Sequence, residues 1–240
     1  MTWKQFFTSS LGKKYVMGLT GFFLITFLIV HCTLNSMIFF DLFYPGDNGQ
    51  TFNHWSHFFG SNFFIRAMEY GLFVGLLLHI IQGLILWAQN RKARPVKYKV
   101  NKYREGKWYS RSMGLLGTLI LLFLILHLYH FWTPSRFGGM AGIHPLQETT
   151  LADYNNQHVH DLYAEMKMVF QYGGAVIVYV LGVFALAWHL LHGFQSAFQT
   201  FGINHKKYKP LINGLGVLYT VVICALFALM PIAMYLKWID

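Results

Sequence analysis

Six of the twelve histidines in this 240-residue chain fall within or beside long apolar stretches: His31, His79, His127, His130, His189 and His192. A neutral imidazole carries one N–H and one lone-pair nitrogen, so in oily surroundings it must hydrogen-bond, relay a proton or bind a metal. The other six, His54, His57, His144, His158, His160 and His205, lie in polar connections and read as surface residues. The H-x-x-H spacing of His54 and His57 lacks a third ligand and is a weak metal signal.

Composition identifies the solvent these histidines sit in. The chain is 55% hydrophobic and 18% aromatic but only 12% charged, with a mean hydropathy of +0.40. Soluble domains carry about 25% charged residues. Apolar spans at roughly 15–40, 66–90, 112–133, 168–200 and 211–236 each reach the about 20 residues that a helix needs to cross a bilayer. The alternating strands of a membrane barrel are absent. The expected fold is an all-α integral membrane protein, a bundle of five transmembrane helices forming one domain over 1–240. The N-terminal segment has no short apolar run ending in a small-residue cleavage site, so the first span is expected to insert uncleaved.

The net charge of +10 is sided. The N-terminal residues 1–14 and the segments 91–111 and 201–210 carry fifteen of the nineteen Lys and Arg with one acid, Glu105. Arg66, Arg136, Lys167 and Lys237 belong to the other side with the remaining eight acids. The positive-inside rule then places the N-terminus in the cytoplasm and the C-terminus outside. That distribution fits anionic headgroups and a docked soluble partner, and argues against nucleic acid. Cys32 and Cys224 lie within spans and pack as small hydrophobes. Neither belongs to a C-x-x-C-H stretch, which excludes covalent c-type haem attachment.

A b-type haem needs two imidazoles from different helices at one depth. With 1.5 Å per residue, His31 lies roughly 26 Å from the cytoplasmic end of its span and His127 roughly 24 Å. His79 lies roughly 18 Å in and His189 roughly 20 Å. Two pairs at two depths suit two stacked haems, although a proton relay or a metal cluster would also use intramembrane histidines. A porphyrin also needs small residues one turn from its ligand. Gly71, Gly75, His79 and Gly83 recur at intervals of four, and His189 lies between Ala185 and Gly193. His192 has Trp188 and Ser196 at the same offsets, so His189 is the preferred ligand and His192 a hydrogen-bonding residue. Phe123 and Phe131 around His127 do not discriminate; His130, nearer the outside, matches His31 less well in depth and is the second choice.

"LTGFFLITFLIVHCTLN", "LFVGLLLHIIQGL", "LLFLILHLYHFW" and "WHLLHGFQSAFQTFGI" resemble the membrane anchor of succinate dehydrogenases and fumarate reductases, in its five-helix, two-haem cytochrome b form. The resemblance runs from about Gly12 to the fifth span, and the order and spacing of four histidines carry it. It implies His31 and His127 on the outer haem iron and His79 and His189 on the inner one, the pairing that the depths give independently. It also implies a flavoprotein and an iron–sulfur subunit on the cytoplasmic side of a bacterial inner membrane, and electron transfer through two haem b groups to a quinone, usually menaquinone. The quinone pocket would draw on Asn35, Ser36, Glu69, Tyr129, His130 and Trp132. Some fumarate reductases of this form have a glutamate two residues before the fourth-span ligand, assigned to a proton path. Here that position is Ala187, which favours succinate oxidation over quinol-driven fumarate reduction. The alternatives are the fumarate reductase anchor itself, a di-haem cytochrome b of another quinone-linked dehydrogenase, and a haem-free transporter.

Overall fold

The computed structural model describes residues 9–93, 108–203 and 205–239. Basic residues in the 94–107 connection and Lys4, assigned above to the cytoplasmic side, lie outside the described residues.

Five helices are long and apolar enough to cross a membrane: Leu11–Leu42, Phe63–Lys92, Met113–Phe137, Gly173–Thr200 and Lys209–Tyr235. The chain is a multi-pass, all-α membrane protein. We label its regular helices α1 Ser10–Asn35, α2 Gln50–Ser61, α3 Phe63–Lys92, α4 Met113–His127, α5 Thr133–Phe137, α6 Leu162–Phe170, α7 Gly173–Thr200 and α8 Lys209–Tyr235. Many of their Leu, Ile, Val and Phe side chains face outward, among them Leu77, Ile81, Leu122, Leu181 and Leu218. In water that surface would drive aggregation; against acyl chains it costs nothing.

Helix starts follow local capping chemistry. Ser9 Oγ accepts from the Gly12 amide at the head of α1 (3.0 Å), and Asn62 Oδ1 accepts from Phe64 and Ile65 at the head of α3. Asp161 caps α6 by accepting from Ala164 N at 2.8 Å. The fourth span is shorter than expected. Residues 168–170 belong to α6, and the chain turns at Gln171 and Tyr172 before α7 begins at Gly173. Apolar residues at the end of α6 simply ran on into those of α7, so hydropathy merged the two.

A π-helical turn, Leu128–Trp132, joins α4 to α5 within the third span. Pro134 has no N–H to continue an α-helical ladder, and Thr133 Oγ1 donates instead to Leu128 O at 3.0 Å.

Clustering of contacts divides the chain into two compact units. The first comprises Met1–Phe27, Gly71–Leu119 and Ala185–Val221, the second Leu28–Tyr70, Ile120–Phe184 and Val222–Asp240. The first unit is held by aromatic packing of Phe22 on Phe198 and Phe201, and of Phe194 on Tyr219. Tyr219 also donates its hydroxyl to Ile25 O at 2.9 Å.

The second unit adds a polar cap built from both long connections. It contains α2, the antiparallel hairpin β1 Glu148–Leu151 with β2 Gln157–His160, and α6. Asn53, 3% exposed, donates to Asp161 and accepts from Tyr163 N, tying α2 to the start of α6. Asp47 accepts from Thr51, whose hydroxyl also meets Tyr154 of the hairpin turn at 3.0 Å. Gly49 precedes α2 at φ +76, and a Cβ there would run into the Tyr163 ring. Gly49→Ala is therefore expected to destabilise the second unit by about 1–3 kcal/mol. A lowered thermal midpoint in detergent checks it, and an unchanged midpoint refutes it.

Candidate haem centres

The two histidine pairs expected from depth each come together, and each lies within one compact unit. In the first unit the His79 and His189 ring centroids are 6.1 Å apart, with planes at 65°. In the second, His31 and His127 are 5.7 Å apart with planes at 90°. A metal held between two imidazole nitrogens at about 2 Å each sets ring centroids roughly 6 Å apart. Both pairs match that spacing.

Hydrogen bonding around His79 leaves one nitrogen for a metal. Thr20 Oγ1 lies 2.8 Å from Val16 O, to which it can donate, and 3.1 Å from His79 Nδ1, so its oxygen is placed to accept from a protonated Nδ1. With Nδ1 protonated, Nε2 keeps its lone pair, the arrangement that holds a ligating histidine in the right tautomer. Near His31, the Asn35 amide donates to the His31 carbonyl at 2.8 Å and lies 3.3 Å from its Nδ1. His127 Nδ1 and His189 Nδ1 are buried with no hydrogen-bond partner, one orphaned ring nitrogen in each pair. A buried polar nitrogen without a protein partner is costly and points to a group outside the protein. Among the described residues no cluster of three or more His, Cys, Asp or Glu joins either pair. Two imidazoles alone under-coordinate zinc, but they suit an iron whose other ligands a porphyrin supplies. The residues present fit b-type haem.

Surroundings of the rings separate the competing histidines. A Cβ at Gly193 or Gly71 would meet nothing within 4 Å, so those positions are open. Gly75 is not: the Phe23 ring covers it, at 3.1 Å from a Cβ placed there. Trp188, four residues before His192, packs on Trp108 and Tyr109. His192 is half-buried and makes no side-chain hydrogen bond to any described residue. His130 does not pair with His31. Its Nδ1 lies 3.0 Å from the Tyr179 hydroxyl, and the two rings run nearly parallel, 11° apart. Phe123 stacks on His127 at 28°, with Phe131 and Tyr179 also around it, while Phe227 packs on His31.

The residues named as quinone candidates are largely engaged. Ser36 Oγ donates to Cys32 O at 2.8 Å, and Tyr129 is 66% exposed. Glu69 takes Trp132 Nε1 at 2.5 Å, Arg136 through Nε and Nη2 at 3.2 and 3.0 Å, and Arg66 at 3.1 Å. This cluster ties α3 to the π turn and α5, and nothing in the sequence paired Glu69 with Arg136. Two loop histidines expected at the surface also have protein partners; of these His144 is exposed as expected and His54 is half-buried. His54 stacks on Tyr154 at 4.0 Å, and His144 binds the buried Glu165. His158, His160 and His205 are exposed as expected.

Fold and site together define a five-helix membrane protein carrying two paired-imidazole centres. Comparison with protein-family models, with characterised proteins and with solved structures finds no match for this chain.

Proposed function

We propose that this chain is the membrane anchor and electron-transfer subunit of a succinate:quinone oxidoreductase. The two paired-imidazole centres at metal-bridging separation carry the reading. His79 and His189 would hold one haem b, His31 and His127 the other, and bound haem supplies a one-electron carrier at each position. The chain's own residues orient the imidazoles: Thr20 fixes the His79 ring, and the Phe123 and Phe227 rings pack against the second pair.

The basic segments around Arg91 and Lys206 would face the cytoplasm of a bacterial inner membrane and dock an iron–sulfur subunit fed by a flavoprotein. Electrons would leave to menaquinone at the outer end of the bundle. Ala187 favours the succinate-oxidising direction over the fumarate-reducing one.

The decisive measurement is a pyridine haemochrome assay on the purified chain. Two b haems per chain is the expected result, and none would overturn the reading in favour of a haem-free transporter. A flavoprotein and an iron–sulfur subunit co-purifying from mild detergent distinguish this anchor from the cytochrome b of another quinone-linked dehydrogenase.

A further inference from the structure

One charge cluster in the second unit is left with a net positive charge. Glu69 on α3 receives Arg136 through Nε and Nη2 at 3.2 and 3.0 Å, and Arg66 through Nη1 at 3.1 Å. One carboxylate thus answers two guanidiniums, and among the described residues no second acid pairs with either. Arg136 also donates Nη1 to Gly60 O at 3.3 Å, so all three of its nitrogens are engaged. Arg66 gives only Nη1 to a described side chain and is 36% exposed, so the excess charge resides there with two nitrogens left over. Arg66 is the fourth residue of α3, at the end of that span. Tyr70, one turn further along α3, and Tyr129, in the π turn that brings Trp132 to Glu69, are both well exposed. Outward-facing Tyr of this kind marks the level of the lipid headgroups.

Beside this cluster lies an apolar groove of about 180 Å³, lined by Ile29, Val30, Thr33 and Leu34 of α1, Met37 after it and Phe59 of α2. Phe59 directly precedes the Gly60 whose carbonyl Arg136 binds, which joins the groove wall to the guanidinium cluster. Ile29 and Val30 are exposed on the surface of the span, where acyl chains are the solvent. An unfilled groove there would forfeit dispersion contacts along its walls. Apolar cavities of about 150 Å³ take a six-carbon ring, so this one has room for a short run of acyl chain.

We propose that the groove and Arg66 together bind one anionic phospholipid, its acyl chain in the groove and its phosphate on the Arg66 guanidinium. The phosphate diester brings one negative charge to a cluster with one positive charge in excess. Guanidinium N–H groups match phosphate oxygens in geometry, and the charge-assisted bonds they form are strong ones. A zwitterionic lipid carries a cationic amine beside its phosphate, which would lie against the same two guanidiniums. Phosphatidylglycerol is therefore favoured over phosphatidylcholine. A quinone tail would fill the groove equally well, but a neutral quinone brings no charge to Arg66. The site uses neither histidine pair, so it stands apart from the function proposed above.

The test equilibrates the full chain in nanodiscs of mixed phosphatidylglycerol and phosphatidylcholine, transfers it to mild detergent and counts bound lipids by native mass spectrometry. One phosphatidylglycerol per chain should stay bound. Arg66→Gln leaves Glu69 paired with Arg136 but cancels the excess charge. It should cut the preference for phosphatidylglycerol about fivefold, the effect of one Arg at an anionic surface. Glu69→Gln raises the excess to two charges and should retain the lipid at least as well as the parent, although its fold is weaker. A merely structural effect would lower retention in both variants. Val30→Trp fills the groove with the charges intact, and should lose the bound lipid while eluting like the parent. Inorganic phosphate added in excess should not displace the lipid. The proposal is overturned by equal retention of the two lipids in the parent, by an unchanged preference in Arg66→Gln, or by lipid loss in Glu69→Gln. Retention in Val30→Trp, displacement by phosphate, or a bound quinone in place of the lipid would overturn it as well. Should Arg66→Gln fail to fold, Glu69→Gln and Val30→Trp decide the proposal by themselves.

Discussion

In a His189→Ala chain the haem content is expected to fall from two per chain to one, and in His79→Ala the same haem should be lost. His31→Ala and His127→Ala should both remove the other. The expectation follows from pairing within each unit: with ring centroids 6.1 and 5.7 Å apart, each ring of a pair can reach only the metal its partner reaches. With one imidazole removed, a haem at that site would be held by a single protein ligand, because among the described residues no third His, Cys, Asp or Glu joins either pair. His192→Ala and His130→Ala are the controls. His192 has no hydrogen-bond partner among the described residues, and His130 is bound to Tyr179. Both variants should retain two haems. The haemochrome assay counts the haems, and redox difference spectra of the intact variants would tell which one is lost, because the two proposed sites have different ring neighbours. If His192→Ala loses a haem while His189→Ala keeps both, the assignment in the first unit is reversed.

The second large effect concerns stability. Glu69→Ala is expected to cost about 2 kcal/mol, measured as a lowered unfolding midpoint in detergent at fixed lipid content. Glu69 and Arg136 have side chains 19% and 22% exposed, so part of the 3–5 kcal/mol typical of breaking a buried pair is recovered by solvent. The remainder comes from removing one acceptor from three donors at once: Trp132 Nε1 and the Nε and Nη2 of Arg136 all lose the Glu69 carboxylate. Glu69→Gln keeps the shape and one acceptor, and should fall between the parent and the alanine variant. An alanine variant that melts with the parent would show that the cluster contributes nothing to folding.

Spans and histidine pairs were legible because both rest on local regularities. A membrane helix must satisfy its own backbone, so hydropathy over some twenty residues reveals it, and a fixed rise per residue converts sequence spacing into depth. His31, His79, His127 and His189 are therefore matched by counting. The cap was illegible for the opposite reason. Gln50 meets Asp153 and Asn53 meets Asp161, contacts 103 and 108 positions apart that no period announces. Glu165 looked like any surface acid, because its burial depends on α6 folding against α2 and the π turn. The small-residue rule was half legible. It marked Gly193 and Gly71, which are open, but could not foresee Phe23 covering Gly75 from another helix.

The π turn after His127 fixes an angular relationship that no α-helix of the same length could provide. One extra residue in a turn rotates everything beyond it by about 100° relative to what precedes it. His127 can therefore turn toward His31 while Trp132 and Arg136, barely two turns later, both reach Glu69 on α3. Excising a single residue from 128–132 would act as a torsional fault. It would leave every hydrophobic residue in a helix, yet aim either the imidazole or the indole and guanidinium at the wrong neighbour.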